Sequence, residues 1–139
     1  MSRKLAREAA MSLLFERELN QEPNYETLEE MKDILKTDSF IERHSDYITA
    51  VIGAFEQHLE EVDEVISEFC TTWKLDRLGK VDLAILRLAV IELSYMDTPV
   101  KVVINESVEM AKKYSSERSS VFVHGVLASV VKKLGKAAE

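Results

Sequence analysis

Apolar residues recur along this chain at intervals of three and four, the spacing of amphipathic helices, and no segment shows turn-bounded alternation of the strand type. The pattern predicts seven helices, at about 3–20, 25–37, 39–59, 61–72, 80–96, 100–114 and 117–135. Asn24 ahead of Tyr25 and Glu26 reads as an N-cap with an acidic first turn, and Asp38 is placed to cap the third helix. Thr98-Pro99 sets a capping hydroxyl before a proline at a first helical position, and Gly79 suits the turn into the fifth helix. The expected class is all-α.

The fifth helix is apolar almost all round, through Val81, Leu83, Ala84, Ile85, Leu86, Leu88, Ala89, Val90, Ile91 and Leu93. A helix without a polar face is surrounded by others, so it is expected to be the central core element. Its Arg87 must then be paired, and Glu106 or Glu109 on the next helix are the expected partners. Gly53 and Gly125 inside helices suggest close approach of neighbouring helices. In the first helix Leu5, Ala6, Ala9, Ala10, Leu13 and Leu14 form a core-facing stripe, while Met11, Phe15 and Leu19 make a second ridge beside it. That ridge either packs on the same chain or receives a partner protein; the pattern leaves both open.

No apolar run approaches the ~18 residues of a membrane helix, and charges interrupt the start of the chain, so no secretory signal is expected. A lone cysteine, Cys70, excludes an internal disulfide and fits a reducing, cytoplasmic setting. The net charge of −7 argues against nucleic-acid binding as a bulk property, but its distribution is uneven. Residues 16–68 carry 16 acids against 4 bases, whereas both ends are net basic. A local basic face can bind RNA that the whole chain would repel.

No catalytic constellation emerges. His44, His58 and His124 are scattered without acidic or cysteine neighbours at metal-ligand spacing, and no phosphate loop or nucleophile motif occurs. No cofactor, metal or enzymatic activity is expected. Arg3, Lys4 and Arg7 are a different matter, because they occupy the first turns of a helix, where the dipole disfavours cations by about 0.3–1 kcal/mol each. Bases at an unfavourable terminus suggest a target that needs them, and a phosphate backbone is the obvious one. On the last helix Val123, Val126, Leu127, Val130 and Leu134 face the core, and Phe122 lies about 100° from that stripe beside Arg118, with Ser119 between. An aromatic ring, a guanidinium and a hydroxyl near a helix N-terminus would suit unpaired bases and phosphates; packing of Phe122 on a neighbouring helix is the competing role.

The segments WKLDRL (73–78), VDLAILRLAVIEL (81–93), VVINESVEMAKKY (102–114) and FVHGVL (122–127), in that order, resemble the C-terminal half of the NusB family of bacterial transcription antitermination factors. AREAAMSLLF (6–15) resembles the family's first helix, so the likeness spans nearly the whole chain. The resemblance implies a single domain, 1–139, of two small helical bundles, subdomains about 1–72 and 73–139. It also implies binding to single-stranded boxA RNA through Arg3, Lys4, Arg7, Arg118, Ser119 and Phe122, with Tyr114 at the rim. A second implied partner is NusE, a small-subunit ribosomal protein, met by Phe15, Leu19, Asp76 and Asp82, within the RNA polymerase antitermination complex. Two departures stand out: His124 where the family usually has asparagine, and Ala128 where it has an acid. The Arg118 position is often acidic or polar in relatives, which implies somewhat tighter RNA binding here. A helical interaction module or homodimer without an RNA role is the alternative. NusB-like domains also precede RNA cytosine methyltransferase domains, but a chain ending at Glu139 has no room for a cofactor-binding sheet.

Overall fold

The computed structural model describes residues 3–20, 38–70 and 78–135, without the side chains of 19, 20 and 38–45. Five helices make up the described part: α1 (Arg3–Asn20), α2 (Asp38–Phe69), α3 (Lys80–Tyr95), α4 (Val100–Tyr114) and α5 (Glu117–Lys133). No strand occurs among the described residues, so the all-α expectation holds while the count of about seven helices does not. The helix expected at 25–37 and its Asn24 cap lie outside the described residues. Those expected at 39–59 and 61–72 run on from each other as α2, two helical segments joined across a kink at His58 (φ −123°, ψ 20°), close to the expected break. The His58 ring stacks on Tyr95, with centroids 4.1 Å apart, which holds the kink against the end of α3.

The apolar run of α3 has the consequence expected of it. Every residue from Leu83 to Leu93 is buried, and the helix packs on each of the other four. Arg87 inside this run is paired as required, but not with Glu106 or Glu109. Its Nε and Nη2 donate to the two Asp63 oxygens at 2.9 Å each, and Nη1 donates to Glu18 Oε1 at 2.7 Å. Lys80 Nζ donates to the other Glu18 oxygen at 3.1 Å. Burial alone would raise the Glu18 carboxyl, but these two cations overcome it and hold its pKa below the usual value. The partners come from α1 and α2, because the Arg87 side of α3 faces that pair of helices.

Two other local expectations are corrected. The Thr98 hydroxyl does not cap α4; it donates to Glu92 Oε1 at 2.8 Å, and Pro99 takes the N-cap position without a side-chain cap. Nor do Gly53 and Gly125 mark close helix approach, since a Cβ at either would meet nothing within 4 Å. Gly125→Ala is therefore expected to stabilise the protein by about 0.5–1 kcal/mol, through helix propensity and a less free unfolded chain. A rise in thermal midpoint would check it, and a fall would reveal a contact at that position. The glycine with a backbone role is Gly135, whose φ of 69° lets its N–H reach the Lys132 carbonyl at 3.1 Å just beyond the end of α5. Cys70 is buried, and burial pushes its thiol pKa up, away from reactivity.

Candidate nucleic-acid interface

The orientation of α1 decides which of its bases reach the surface. Ala6, Arg7, Ala9, Ala10, Met11 and Leu14 are buried, whereas Leu5 is 49% exposed. The buried stripe is thus turned away from Leu5 and towards Arg7 and Met11, relative to the stripe read from apolar residues alone. The cause is polar. Arg7, 6% exposed, donates from Nε and Nη2 to the two oxygens of Glu92 at 2.9 and 3.0 Å. Burial works against the Arg7 charge, but the carboxylate more than compensates and its pKa is raised. Arg7 therefore does not stand in the surface cluster where the sequence placed it. The Nε–Nη2 edge of its guanidinium is committed to Glu92 and is not offered to a phosphate.

Arg3 and Lys4, one turn earlier, are exposed. The Arg3 guanidinium carbon sits 4.7 Å from the centroid of the Tyr47 ring, on α2. On the other side of this turn Glu8 reaches α4: it accepts from Lys113 Nζ at 3.0 and 3.2 Å and from the Tyr114 hydroxyl at 2.8 Å. The Glu8 carboxylate holds the Lys113 ammonium above its ordinary pKa, and burial with the same contact raises the Tyr114 hydroxyl. Lys113 is a member of this surface that the sequence reading did not single out. Its sequence neighbours are Lys112 and Tyr114, and only the fold sets it against α1.

From Tyr114 the chain turns through Ser115 and Ser116 into α5. Ser116 caps the helix, its Oγ accepting from Ser119 N at 3.0 Å. Ser119 Oγ also lies 2.8 Å from Ser115 Oγ and donates to Asp82 Oδ2 at 3.0 Å, tying the first turn of α5 to the first turn of α3. Asp82 Oδ1 is buried without a hydrogen-bond partner among the described residues. Arg118 is exposed, and Phe122 is half-buried against the hydrophobic core. The competing role for Phe122 is thus partly realised, with some of the ring still open to solvent. Val123, Val126, Leu127 and Val130 are buried as expected, while His124 and Ala128 face solvent.

The residues expected to meet a protein partner divide. Phe15 is half-buried against the core, and Met11 of the same ridge is fully inside it. Asp82 is half-buried and engaged with α5. The Leu19 side chain and the whole of Asp76 lie outside the described residues. Among the described residues no group of three or more His, Cys, Asp or Glu is placed to hold a metal ion, and no helix is long and apolar enough to cross a membrane. What the contacts assemble is a link through Glu8 from the exposed Arg3–Lys4 turn of α1 to Lys113 and Tyr114 of α4, with α5, its exposed Arg118 and its half-buried Phe122 following just beyond Tyr114 in the chain. These residues have donors for phosphates and a π-face for bases.

Comparison with known proteins is consistent with that chemistry. Residues 4–132 match the NusB family. The transcription antitermination protein NusB of Clostridium novyi (strain NT) is 44% identical over 134 residues, covering 95% of this chain and 99% of the relative. Among solved structures, T. maritima NusB superposes with a TM-score of 0.78 at 32% identity, covering 96% of this chain and 92% of the other. A chain from the crystal structure of antitermination factors NusB and NusE in complex with double-stranded RNA gives a TM-score of 0.80 at 30% identity, covering 94% and 96%.

Proposed function

This chain belongs to the NusB family, and from that premise we propose that it is a transcription antitermination factor binding boxA-type single-stranded RNA jointly with NusE. It is a binding protein, not an enzyme, and acts in the cytoplasm within the RNA polymerase complex that transcribes ribosomal RNA operons. The observation that carries the reading is the Glu8 bridge to Lys113 and Tyr114. It sets the basic turn of α1 beside the connection into α5, so two stretches over a hundred residues apart share one surface.

Arg3, Lys4 and Arg118 meet phosphates, Ser119 and Tyr114 line the rim, and the open part of Phe122 stacks on a base. Arg7 supports this surface from beneath. Phe15, Leu19, Asp76 and Asp82 are the residues proposed to meet NusE, which extends the RNA-binding surface. Each ligand therefore raises the affinity of the other by the same factor. The two subdomains, taken as about 1–72 and 73–139, would meet along α3, and its packing on α1 and α2 supports this.

Fluorescence anisotropy of a labelled boxA RNA of about twelve nucleotides, with and without NusE, tests the reading. Binding should weaken steeply between low and physiological salt, strengthen with NusE, and be absent for a scrambled RNA. Arg118→Asp should weaken it by about tenfold, one phosphate contact being replaced by a repulsion. Equal affinity for that variant removes Arg118 from the interface. No RNA binding even with NusE present leaves a helical protein-interaction module or homodimer.

A further inference from the structure

Glu92 is 1% exposed and accepts four hydrogen bonds from three other parts of the fold. Two come from Arg7 on α1; one comes from the Tyr47 hydroxyl on α2 at 3.0 Å, and one from Thr98 ahead of α4. A carboxylate filled in this way has one arrangement. Tyr47 is consequently fixed at both ends, its hydroxyl on Glu92 and its ring packed at 5% exposure. Burial and the neighbouring carboxylate push the hydroxyl pKa far above its ordinary value, so it stays a donor at any physiological pH. The ring carries two cations from one face of α1. Arg7 lies at 5.9 Å from the centroid, and the exposed Arg3, one turn away, lies at 4.7 Å.

We infer that Tyr47, held by Glu92, is a positioning residue for RNA binding: it lays the Arg3 guanidinium in place before RNA arrives. A cation–π contact attracts the charge without consuming N–H donors, so the guanidinium edge stays available to a phosphate. A free surface arginine would have to surrender its rotamer freedom on binding, and an arginine already resting on a fixed ring has surrendered it beforehand. The unfavourable position of Arg3 near the N-terminus of α1 gains a reason, because the ring offsets what the dipole costs there. The inference rests on the RNA-binding reading above and deepens it. It names residues of α2 and α3, outside both basic segments, as determinants of RNA affinity.

The test is a double-mutant cycle between Arg3 and Tyr47, read by anisotropy of the same boxA RNA with NusE over a salt series. Tyr47→Leu should weaken binding by about two- to tenfold, the range for one arginine immobilised on binding, with the salt slope retained. Arg3→Ala should lower the slope by about 0.7, as expected for one phosphate contact on a single strand. In the Arg3→Ala background Tyr47→Leu should have no further effect. Tyr47→Phe keeps the ring but frees it from Glu92, so its loss should fall between wild type and Tyr47→Leu.

Equal losses in both backgrounds would make Tyr47 a structural residue only and overturn the inference, as would full affinity in Tyr47→Leu. A wild-type chain that binds no RNA with NusE overturns the functional reading and this inference together. NMR of the folded wild-type protein guards against a variant that fails to fold. The Arg3 side-chain protons should show an upfield ring-current shift, and its absence overturns the positioning role by itself.

Discussion

Glu92→Ala is expected to destabilise the protein by about 3–5 kcal/mol, the usual consequence of removing one partner of a buried ion pair. Four donors lose their acceptor at once: two N–H groups of the Arg7 guanidinium, the Tyr47 hydroxyl and the Thr98 hydroxyl. Arg7 and Tyr47 cannot turn to water without moving α1, because they are 6% and 5% exposed, whereas Thr98 is only half-buried. Most of the loss is the desolvation of an unpaired cation, not the net worth of the pair. Converting Arg7 to methionine in the same protein should therefore recover part of it, leaving the double variant more stable than Glu92→Ala alone. Urea unfolding of the three variants checks this. A loss below about 1 kcal/mol for Glu92→Ala would mean that water reaches the guanidinium, and the proposed scaffold beneath Arg3 would lose its rigidity.

A loss of similar size, about 3–5 kcal/mol, is expected for Leu86→Ala in α3. Leu86 is fully buried, and α3 is the helix on which the other four described helices pack. The surrounding side chains cannot collapse into the space without shifting several helices, so the cavity term adds to the transfer term. Val121→Ala is the contrast, since that side chain is 72% exposed and its loss should be within about 0.5 kcal/mol. Comparable losses for the two variants in urea unfolding would contradict the central position of α3. The result bears on function because the basic turn of α1 and the start of α5 are each fastened to α3, through Glu92 and Asp82.

The helices that were legible in the sequence were those whose pattern admits one solution. The buried run of α3 has no polar face to confuse its reading. The core stripe of α5 is narrow, and four of its five members are buried. On α1 the apolar residues occupy two adjacent faces, so several rotations bury similar hydrophobic area, and area alone does not choose between them. Arg7 pairing with Glu92, 85 residues away, chooses. That one contact moved Arg7 from the expected interface into the interior, put Met11 in the core and left Leu5 outside. The partners of Arg87 were misplaced for a related reason. Acids on the next helix in sequence are easy to nominate, while Asp63 and Glu18 are brought to it only by the packing of α1 and α2. The long α2 bends at His58, two residues before the expected break, with no proline there to mark it.

The sequence by itself determined the all-α class, the central helix, the family and the two basic stretches, because each rests on local periodicity or on residues close together in the chain. The tertiary structure alone decided which of those bases face solvent, that Glu8 joins α1 to α4, and that Tyr47 lies under Arg3. Burial and charge pairing depend on what stands opposite a side chain. In a helical fold that neighbour comes from a distant segment, at a position no periodicity records.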